Sequence, residues 1–564
     1  MARLLANRGI RTAYEAQRFL SPEFVHLHSP YQMLGMKAAA ERLRAAIARQ
    51  ENILIYGDYD VDGTTAVVIL KTAIELCGGV ADYHIPHRLR EGYGMKDEVI
   101  ERAAAQGVRL IISVDTGIRA FAAGQTTRRL GLDLIVTDHH LPQAEGVPQA
   151  LAVLNPNQTG CNYPCKDLCG AGVAFKLAQA LLEHAGRARL LPSFLKVVAI
   201  ATIADAVPLM GENRVFAKLG LEGLRSPVNP GLKALLEVSA LAGNGRALTA
   251  GDVAFRLAPR LNAAGRMDVA KDVIDLFSVR DPAQAREIAA RLNQLNADRQ
   301  QEEQRIVAEI QARLDADPDL RDAWCIVVDG EAWHKGVIGI AATRIVERYC
   351  RPALVITREG TDAQGSGRSI QAFHLLEALE SCAHLFTRFG GHAYAAGFAL
   401  PAEHIPELRS RLNAWARTRL TPDDLLPALS YEAELRLDEV TPQLFSSLRR
   451  LEPFGMGNPQ PVFAARNLRL LAPPRVMKEK HVKLRVRHAD STGVSGRVAV
   501  PRVFDAMGWR MAERVQQDGI LAGDVLDLAF VIEENSHPDF GGLQLSICDI
   551  VKSETSSKQQ AANK

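Results

Sequence analysis

Three aspartates, Asp58, Asp60 and Asp62, take alternate positions in the stretch ILIYGDYDVDGTT at residues 53–65. Carboxylates this close repel one another, so a folded site must offset them with cations or with several hydrogen-bond donors. The apolar Ile53-Leu54-Ile55 ahead of them reads as a buried parallel strand, and residues 66–70 read as the following helix. Gly57 and Gly63 permit a tight turn between the two. The acids therefore fall at the C-terminal edge of a strand, where open α/β sheets bind ligands. A calcium loop requires a bidentate Glu at its twelfth position, and counted from Asp58 that position is Ile69. A solvated acidic turn and a catalytic metal loop both remain compatible with this stretch alone.

Two later segments repeat the arrangement. Residues 110–114 (LIISV) form a second buried-strand run that ends in Asp115-Thr116-Gly117, and residues 132–136 lead through Thr137 into Asp138-His139-His140. Strand ends of one parallel sheet converge, so these groups are predicted to meet the first loop. Asp205, after the apolar helix-like run 194–203, adds a fourth segment. Carboxylates with one or two imidazoles suit Mn²⁺ or Mg²⁺ and not a closed thiolate zinc site.

Asp-x-Asp-x-Asp-Gly after one strand, Asp-x-Gly after a second, Asp-His-His after a third and a late lone Asp resemble the DHH phosphoesterase superfamily. GSGRS (365–369) and GGH (390–392) resemble its DHH-associated domain. Within the superfamily the chain is most similar to the RecJ family of bacterial single-strand-specific exonucleases. The similarity rests on YGDYDVDGTT, PHRLREGYGM, CGAGVAFKLAQAL, ATIADAVPL, RLNAAGRM and LEPFGMGNPQPVF, in that order, and runs from about residue 4 to about 550.

The resemblance implies a two-metal hydrolase of phosphodiesters, degrading single-stranded DNA 5′→3′ to 5′-mononucleotides in repair and recombination. It implies two divalent ions, Mn²⁺ or Mg²⁺, held by Asp60, Asp62, Asp115, His139 and Asp205, with Asp62 or Asp115 as the bridge. Asp58 would ligate directly or through water, or orient the others. Asp138 would accept a hydrogen bond that fixes the His139 tautomer, and His140 would contact the scissile phosphate. Arg88, Asn262, Arg266, Ser366, Arg368, Ser369, Gly390, Gly391 and His392 would hold the strand. Two competing readings are a hydrolase of short oligonucleotides or cyclic dinucleotides, and a non-catalytic single-strand-binding subunit. An extended track suits neither a dinucleotide nor the pyrophosphate of a third relative, and a subunit without catalysis would have lost acids that are all present here.

The remaining elements must position this centre. At 564 residues the chain exceeds one core, and its 47% apolar and 23% charged composition is that of a globular protein. A net charge of +2 neither announces nor excludes a nucleic-acid partner. No apolar run approaches a membrane span, and no signal peptide is visible at the start, so a cytoplasmic protein is expected. Of eight cysteines, Cys161, Cys165 and Cys169 are spaced C-x₃-C-x₃-C, which lacks the knuckle of a zinc site. Single-stranded DNA is the expected partner of a monomer, with a single-strand-binding protein and a helicase as candidate protein partners.

The predicted fold class is α/β: a parallel-sheet DHH domain with a helical N-terminal segment (1–280), a connecting helix (281–317) and a second α/β, DHH-associated domain (318–425). The connecting helix is apolar at both ends and polar in the middle, as expected of a bridge. A run of short strands follows and suggests an oligonucleotide-binding-like β-barrel (426–553), then a polar, disordered tail (554–564). In the barrel Lys483, Arg485 and Arg487 alternate and should share one face suited to phosphates.

Overall fold

The computed structural model describes residues 1–88, 90–243, 247–267, 270–489, 502–535 and 541–553. The expected strand 494–500 and the tail 554–564 lie outside the described residues.

Short apolar runs build the first sheet from β1 (Asn52–Tyr56), β2 (Ala81–His84), β3 (Val108–Val114), β4 (Asp133–Thr137) and β5 (Ala152–Leu154). All pair in parallel, in the order β2-β1-β3-β4-β5. From β1 the chain steps one way to β2 and then back to β3 on the other side. The reversal leaves a crevice at the C-terminal ends of β1 and β3, the usual ligand site of such sheets. β5 was not anticipated, because three apolar residues between loops are too few to show a period.

The second sheet contains β6 (Ile326–Glu331), β7 (Ala353–Glu359), β8 (Asp362–Arg368), β9 (Arg388–Gly391) and β10 (Ala395–Pro401), in the order β6-β7-β8-β10-β9. β6 and β7 are parallel across the helix Ile338–Tyr349, and the other pairs are antiparallel. Residues 365–368 of GSGRS are thus the end of a strand. Gly365 and Gly367 face the core, where a Cβ would lie 2.2 Å from Phe398 and 2.8 Å from Leu375. Ser366 and Arg368 therefore share the opposite face.

The helix Pro282–Ala316 joins the two sheet domains. Its first half packs on Pro230–Val238 and Ala258–Met267, and Ile306, Ile310 and Leu314 enter the core around Trp333 and Ile338. The middle is drier than its polar sequence suggests: Asn296 is buried and Arg299 pairs with Glu303 at 3.0 Å, both largely covered.

Residues Met1–His26, Pro208–Arg214 and Ala428–Lys564 form a separate compact unit. Its strands are β11 (Ala433–Glu434), β12 (Phe463–Leu470), β13 (Arg475–Met477), β14 (His481–His488), β15 (Phe504–Gly508), β16 (Val525–Asn535) and β17 (Gly542–Lys552). They run β11-β12-β16-β17-β15-β14-β13, and an added β12–β14 pairing closes the sheet. Leu4, Leu5 and Phe19 are buried in this barrel core with Leu451 and Phe463. The N-terminal segment accordingly groups with the barrel, whereas the sequence had it with the parallel sheet. Arg214 is the clasp: its guanidinium lies 3.6 Å from the Phe19 ring and donates to the carbonyls of Phe19 (2.6 Å), Leu451 (2.9 Å) and Glu452 (2.9 Å).

Candidate metal centre and substrate face

The acidic segments leave their strands and enter one space. Asp60 caps the helix Val61–Leu76, its Oδ1 accepting from the Gly63 N–H at 3.0 Å. The chain can make this turn only with glycine at 63, because a Cβ there would lie 2.7 Å from Asp58. Asp115 follows β3 at φ +58°, a left-handed conformation that Asp tolerates better than most residues. Asp205 ends the helix Leu191–Ala204.

His139 sits among them. Its Nε2 is 3.3 Å from Asp115 Oδ1 and 3.8 Å from both Asp62 Oδ2 and Asp205 Oδ2. Ligand atoms within 4.8 Å of one another form three overlapping groups: Asp62-His139-Asp205, Asp58-Asp60-Asp115 and Asp115-His139-His140. Asp58 thus stands with Asp60 and Asp115 at ligand distance, and Asp115 is the carboxylate common to two groups. Buried Asp58 Oδ1, Asp115 Oδ1 and Asp205 Oδ2 have no hydrogen-bond partner, which fits cations and not donors as their counterpart.

Burial, and then the charge of Asp60, pushes the Asp58 carboxyl well above its ordinary range. Burial followed by the charges of Asp62, Asp60, Asp58 and Asp205 does the same to Asp115, and burial with Asp62 and Asp60 lifts Asp205 to about 9. Without cations the cluster is therefore held together partly by protons.

Asp138 behaves differently. Burial opposes its ionisation, but the hydrogen bond and charge of His140 and the Ile118 N–H hold its carboxyl below the usual range. Its Oδ1 lies 2.7 Å from His140 Nδ1 and accepts the backbone N–H groups of His139 (2.7 Å) and His140 (3.1 Å); its Oδ2 accepts from Ile118 at 2.8 Å. The ring that Asp138 orients is thus that of His140, not of His139 as expected. Adjacent residues after a strand send their side chains apart, and only His140 folds back to the carboxylate.

The cationic residues form a second surface of the same unit. Arg266 donates to the Gly336 carbonyl at 3.0 Å, and Arg368 to Ser366 Oγ at 3.1 Å and the Gly367 carbonyl at 2.8 Å. These neutral acceptors leave both charges in place. Burial, then the charges of Arg88, Arg299 and Arg368, push Arg266 down to about 10; burial and Arg88 lower Arg368. Arg88 lies 4.0 Å over the Tyr59 ring, and its buried Nε has no hydrogen-bond partner.

Ser369 is turned inward, its hydroxyl donating to the Phe373 carbonyl at 2.7 Å. Gly390 faces open space, whereas Gly391 at φ +153° would place a Cβ 2.3 Å from the Ala395 carbonyl. The His392 pKa is lowered by partial burial and then by the charges of Arg368 and His140. Asn262 uses its side-chain oxygen to accept the Val61 N–H at 3.1 Å, bracing the metal loop. In the barrel Lys483 is paired with Asp505 at 2.8 Å, while Arg485 and Arg487 point outward beside it.

Several functional residues escaped the sequence reading. The Asp62 carboxylate accepts the N–H groups of Gly170 (2.6 Å) and Ala171 (2.8 Å) at the start of the helix Gly170–His184, whose N-terminal partial charge favours an anion. The Gly-Ala-Gly opening was the available signal. Asn155 and Asn157 donate to the carbonyls of His140 (2.8 Å) and His139 (2.9 Å), pinning the Asp-His-His backbone. Tyr93, half-exposed, places its ring 6.0 Å from that of His140, and partial burial of its hydroxyl followed by the charges of Asp138, Asp115 and Asp58 raises the hydroxyl pKa. The cysteine run joins none of the metal-ligand groups among the described residues, and Cys169 lies against Thr202.

Three family models match successive parts of the chain. Residues 52–202 match the DHH family, N-terminal domain, residues 322–418 the DHHA1 domain and residues 431–549 the RecJ OB domain. The chain is 39% identical over 557 residues to the single-stranded-DNA-specific exonuclease RecJ of Bacillus subtilis, covering 98% of this chain and 68% of that protein. It is 36% identical to the Escherichia coli enzyme of the same name, covering 86% of each. The crystal structure of Thermus thermophilus RecJ in complex with Mn²⁺ superposes with a TM-score of 0.81 at 29% identity, over 98% of this chain and 76% of that one. With its acidic centre, second α/β sheet and closed barrel in this order, the chain belongs to the RecJ family of DHH-domain proteins.

Proposed function

We propose that the chain is a single-stranded-DNA-specific exonuclease that hydrolyses phosphodiesters with two divalent ions, Mn²⁺ or Mg²⁺. The observation that carries this reading is one compact unit with an acidic cluster of orphaned carboxylate oxygens and a set of arginines that, among the described residues, donate to neutral acceptors. One set suits cations and the other suits phosphates. Asp58, Asp60, Asp62, Asp115, His139 and Asp205 would hold the ions, with Asp115 between them. When bound, such ions activate water and offset charge on the attacking and leaving oxygens.

The chain's own residues do the positioning. Asp138 occupies His140 Nδ1, which leaves Nε2 to meet a phosphate oxygen. Arg88, Arg266 and Arg368 hold the strand's phosphates, with His392 as a further contact. Arg485 and Lys483 give the barrel a phosphate-binding face of its own. The family resemblance supplies 5′→3′ polarity, release of 5′-mononucleotides and a place in repair and recombination. We also read the protein as a cytoplasmic monomer, with a single-strand-binding protein and a helicase as partners; its eight cysteines are free, as suits a reducing compartment. Among the described residues no helix is long and apolar enough to cross a membrane.

Digestion of 5′- and 3′-end-labelled single- and double-stranded DNA with Mn²⁺ or Mg²⁺ tests the reading. Mononucleotides released from the 5′ end of single strands are expected. Cleavage confined to dinucleotides would instead identify a hydrolase of short oligonucleotides.

A further inference from the structure

Phe255 is 81% exposed, and no other phenylalanine appears among the exposed large hydrophobics of the described residues. A lone exposed apolar side chain is ordinary. This one stands where the fold has spent structure to put it there. Residues Val253–Leu257 form a π-helical turn leading straight into the helix Ala258–Met267, and such wide turns recur at functional sites. Val253 and Leu257 are buried, with the turn packed on the helix Leu191–Ala204 that ends at Asp205. That packing turns Phe255 outward between them.

The same face then runs to the centre. Phe255, Pro259, Asn262 and Arg266 follow at helical spacing, Phe255 exposed and the other three partly accessible, whereas Ala258, Leu261, Ala264 and Gly265 are buried. Asn262 braces the metal loop through the Val61 N–H, and Arg266 lies within reach of the charges of Arg88, Arg368 and Asp60. Gly265 brings the helix against the loop itself, since a Cβ there would lie 2.1 Å from the Tyr59 carbonyl. At a rise of about 1.5 Å per residue, Phe255 is about 16 Å along the helix from Arg266, a length that an extended single strand covers in a few nucleotides. Arg260, on the next turn, is held by the side chain of Asn293 and the Arg256 carbonyl, neutral acceptors that leave its charge for a phosphate.

We propose that Phe255 is a stacking platform for a base of the bound single strand, a few nucleotides from the acidic centre. The proposal rests on the nucleic-acid function above and adds a contact that reads the π-face of a base without choosing its identity. It also gives the enzyme a minimum substrate length for full affinity, because shorter strands cannot reach the platform.

The test compares F255A, F255L and F255Y on oligothymidylates from a dinucleotide upward. F255A and F255L are expected to weaken binding and kcat/KM roughly 5- to 100-fold on long strands and to leave dinucleotide hydrolysis and thermal stability unchanged. F255Y is expected to retain wild-type values. A single abasic position, moved along a long strand, should reproduce the F255A loss at one distance from the end and add nothing to it in F255A. Equal length dependence in F255A and wild type would overturn the proposal, as would full rescue by F255L or an equal loss on the dinucleotide. A binding readout separates the two levels: tryptophan quenching in F255W on adding long strands, with no cleavage by any variant, would sustain the platform and remove the exonuclease reading.

Discussion

Gly170 donates its N–H to Asp62 Oδ2 at 2.6 Å and has no room for a side chain, since its Cβ would lie 2.5 Å from Asp115. One backbone position therefore fixes one carboxylate and limits the place of another, although the three residues come from distant segments. Gly170→Ala keeps a good helix former but must push Asp115 or the helix away. We expect at least a tenfold loss of kcat/KM, as for misplacement of a reacting group, with Mn²⁺ affinity reduced by calorimetry. Wild-type metal affinity and turnover in this variant would show that the close approach is not needed.

If Asp115 and Asp62 hold the ions, they should bear on chemistry more than on strand binding. Asp115→Ala or Asp62→Ala should lower cleavage by about 10³-fold or more, the several kcal/mol that metal-ion catalysis supplies. Affinity for long single strands in Ca²⁺, measured by anisotropy, should change little, because the arginines and the barrel lie on other elements. Near-normal turnover in either variant would remove that residue from the centre.

Chelation should make stability depend on pH. Asp58 and Asp115 have folded pKa values raised by burial and neighbouring acids, and Asp205 is lifted to about 9, against about 3.9 in an unfolded chain. The folded apo form thus binds protons that the unfolded chain has released, so its stability falls as pH rises from about 4 towards about 9. Mn²⁺ takes the place of those protons. The loaded protein should lose this slope and gain about 2.7 kcal/mol per site at a hundredfold excess over Kd. Melting curves at several pH values, with EDTA and with Mn²⁺, check it; parallel slopes would contradict the metal assignment.

Arg368 holds its guanidinium on Ser366 and its own strand, beside Arg88 and not beside an acid. Arg368→Ala should therefore remove one phosphate contact, and the slope of log K against log salt should shrink by about 0.7. Arg368→Lys restores the charge without the fork and should rescue only in part. Unaltered affinity and salt slope in the alanine variant would return Arg368 to a packing role.

The acidic centre was legible because each component is local: an apolar run, then acids, at the end of a strand. Parallel pairing does the rest, and Asp58 to Asp62, Asp115, His139 and Asp205 meet as the pattern requires. The Asp62–Gly170 contact was not legible, since 108 residues separate its partners and Gly-Ala-Gly serves equally well for close packing. The Asp138–His140 pairing depends on a side-chain torsion, which spacing does not encode. GSGRS reads as a loop from its composition, and its strand character comes only from the neighbours that its glycines admit. Leu4, Leu5 and Phe19 show an apolar face but nothing of which core will receive it.

The clasp of Arg214 on Phe19 and Leu451 has a consequence for the order in which the molecule can be made. Emerging from the ribosome, residues 1–26 carry an apolar face whose partners lie in residues 208–214 and, for the most part, beyond residue 428. They must wait, uncovered, while the parallel sheet and its neighbour are synthesised and fold. The barrel can then close only after residues 428 onward are made, and it needs residues 1–26 to do so. A nascent chain stalled before residue 428 would present both the helices of residues 1–26 and the 208–214 segment to chaperones, and loss of residues 1–26 would damage the same unit as loss of the barrel strands.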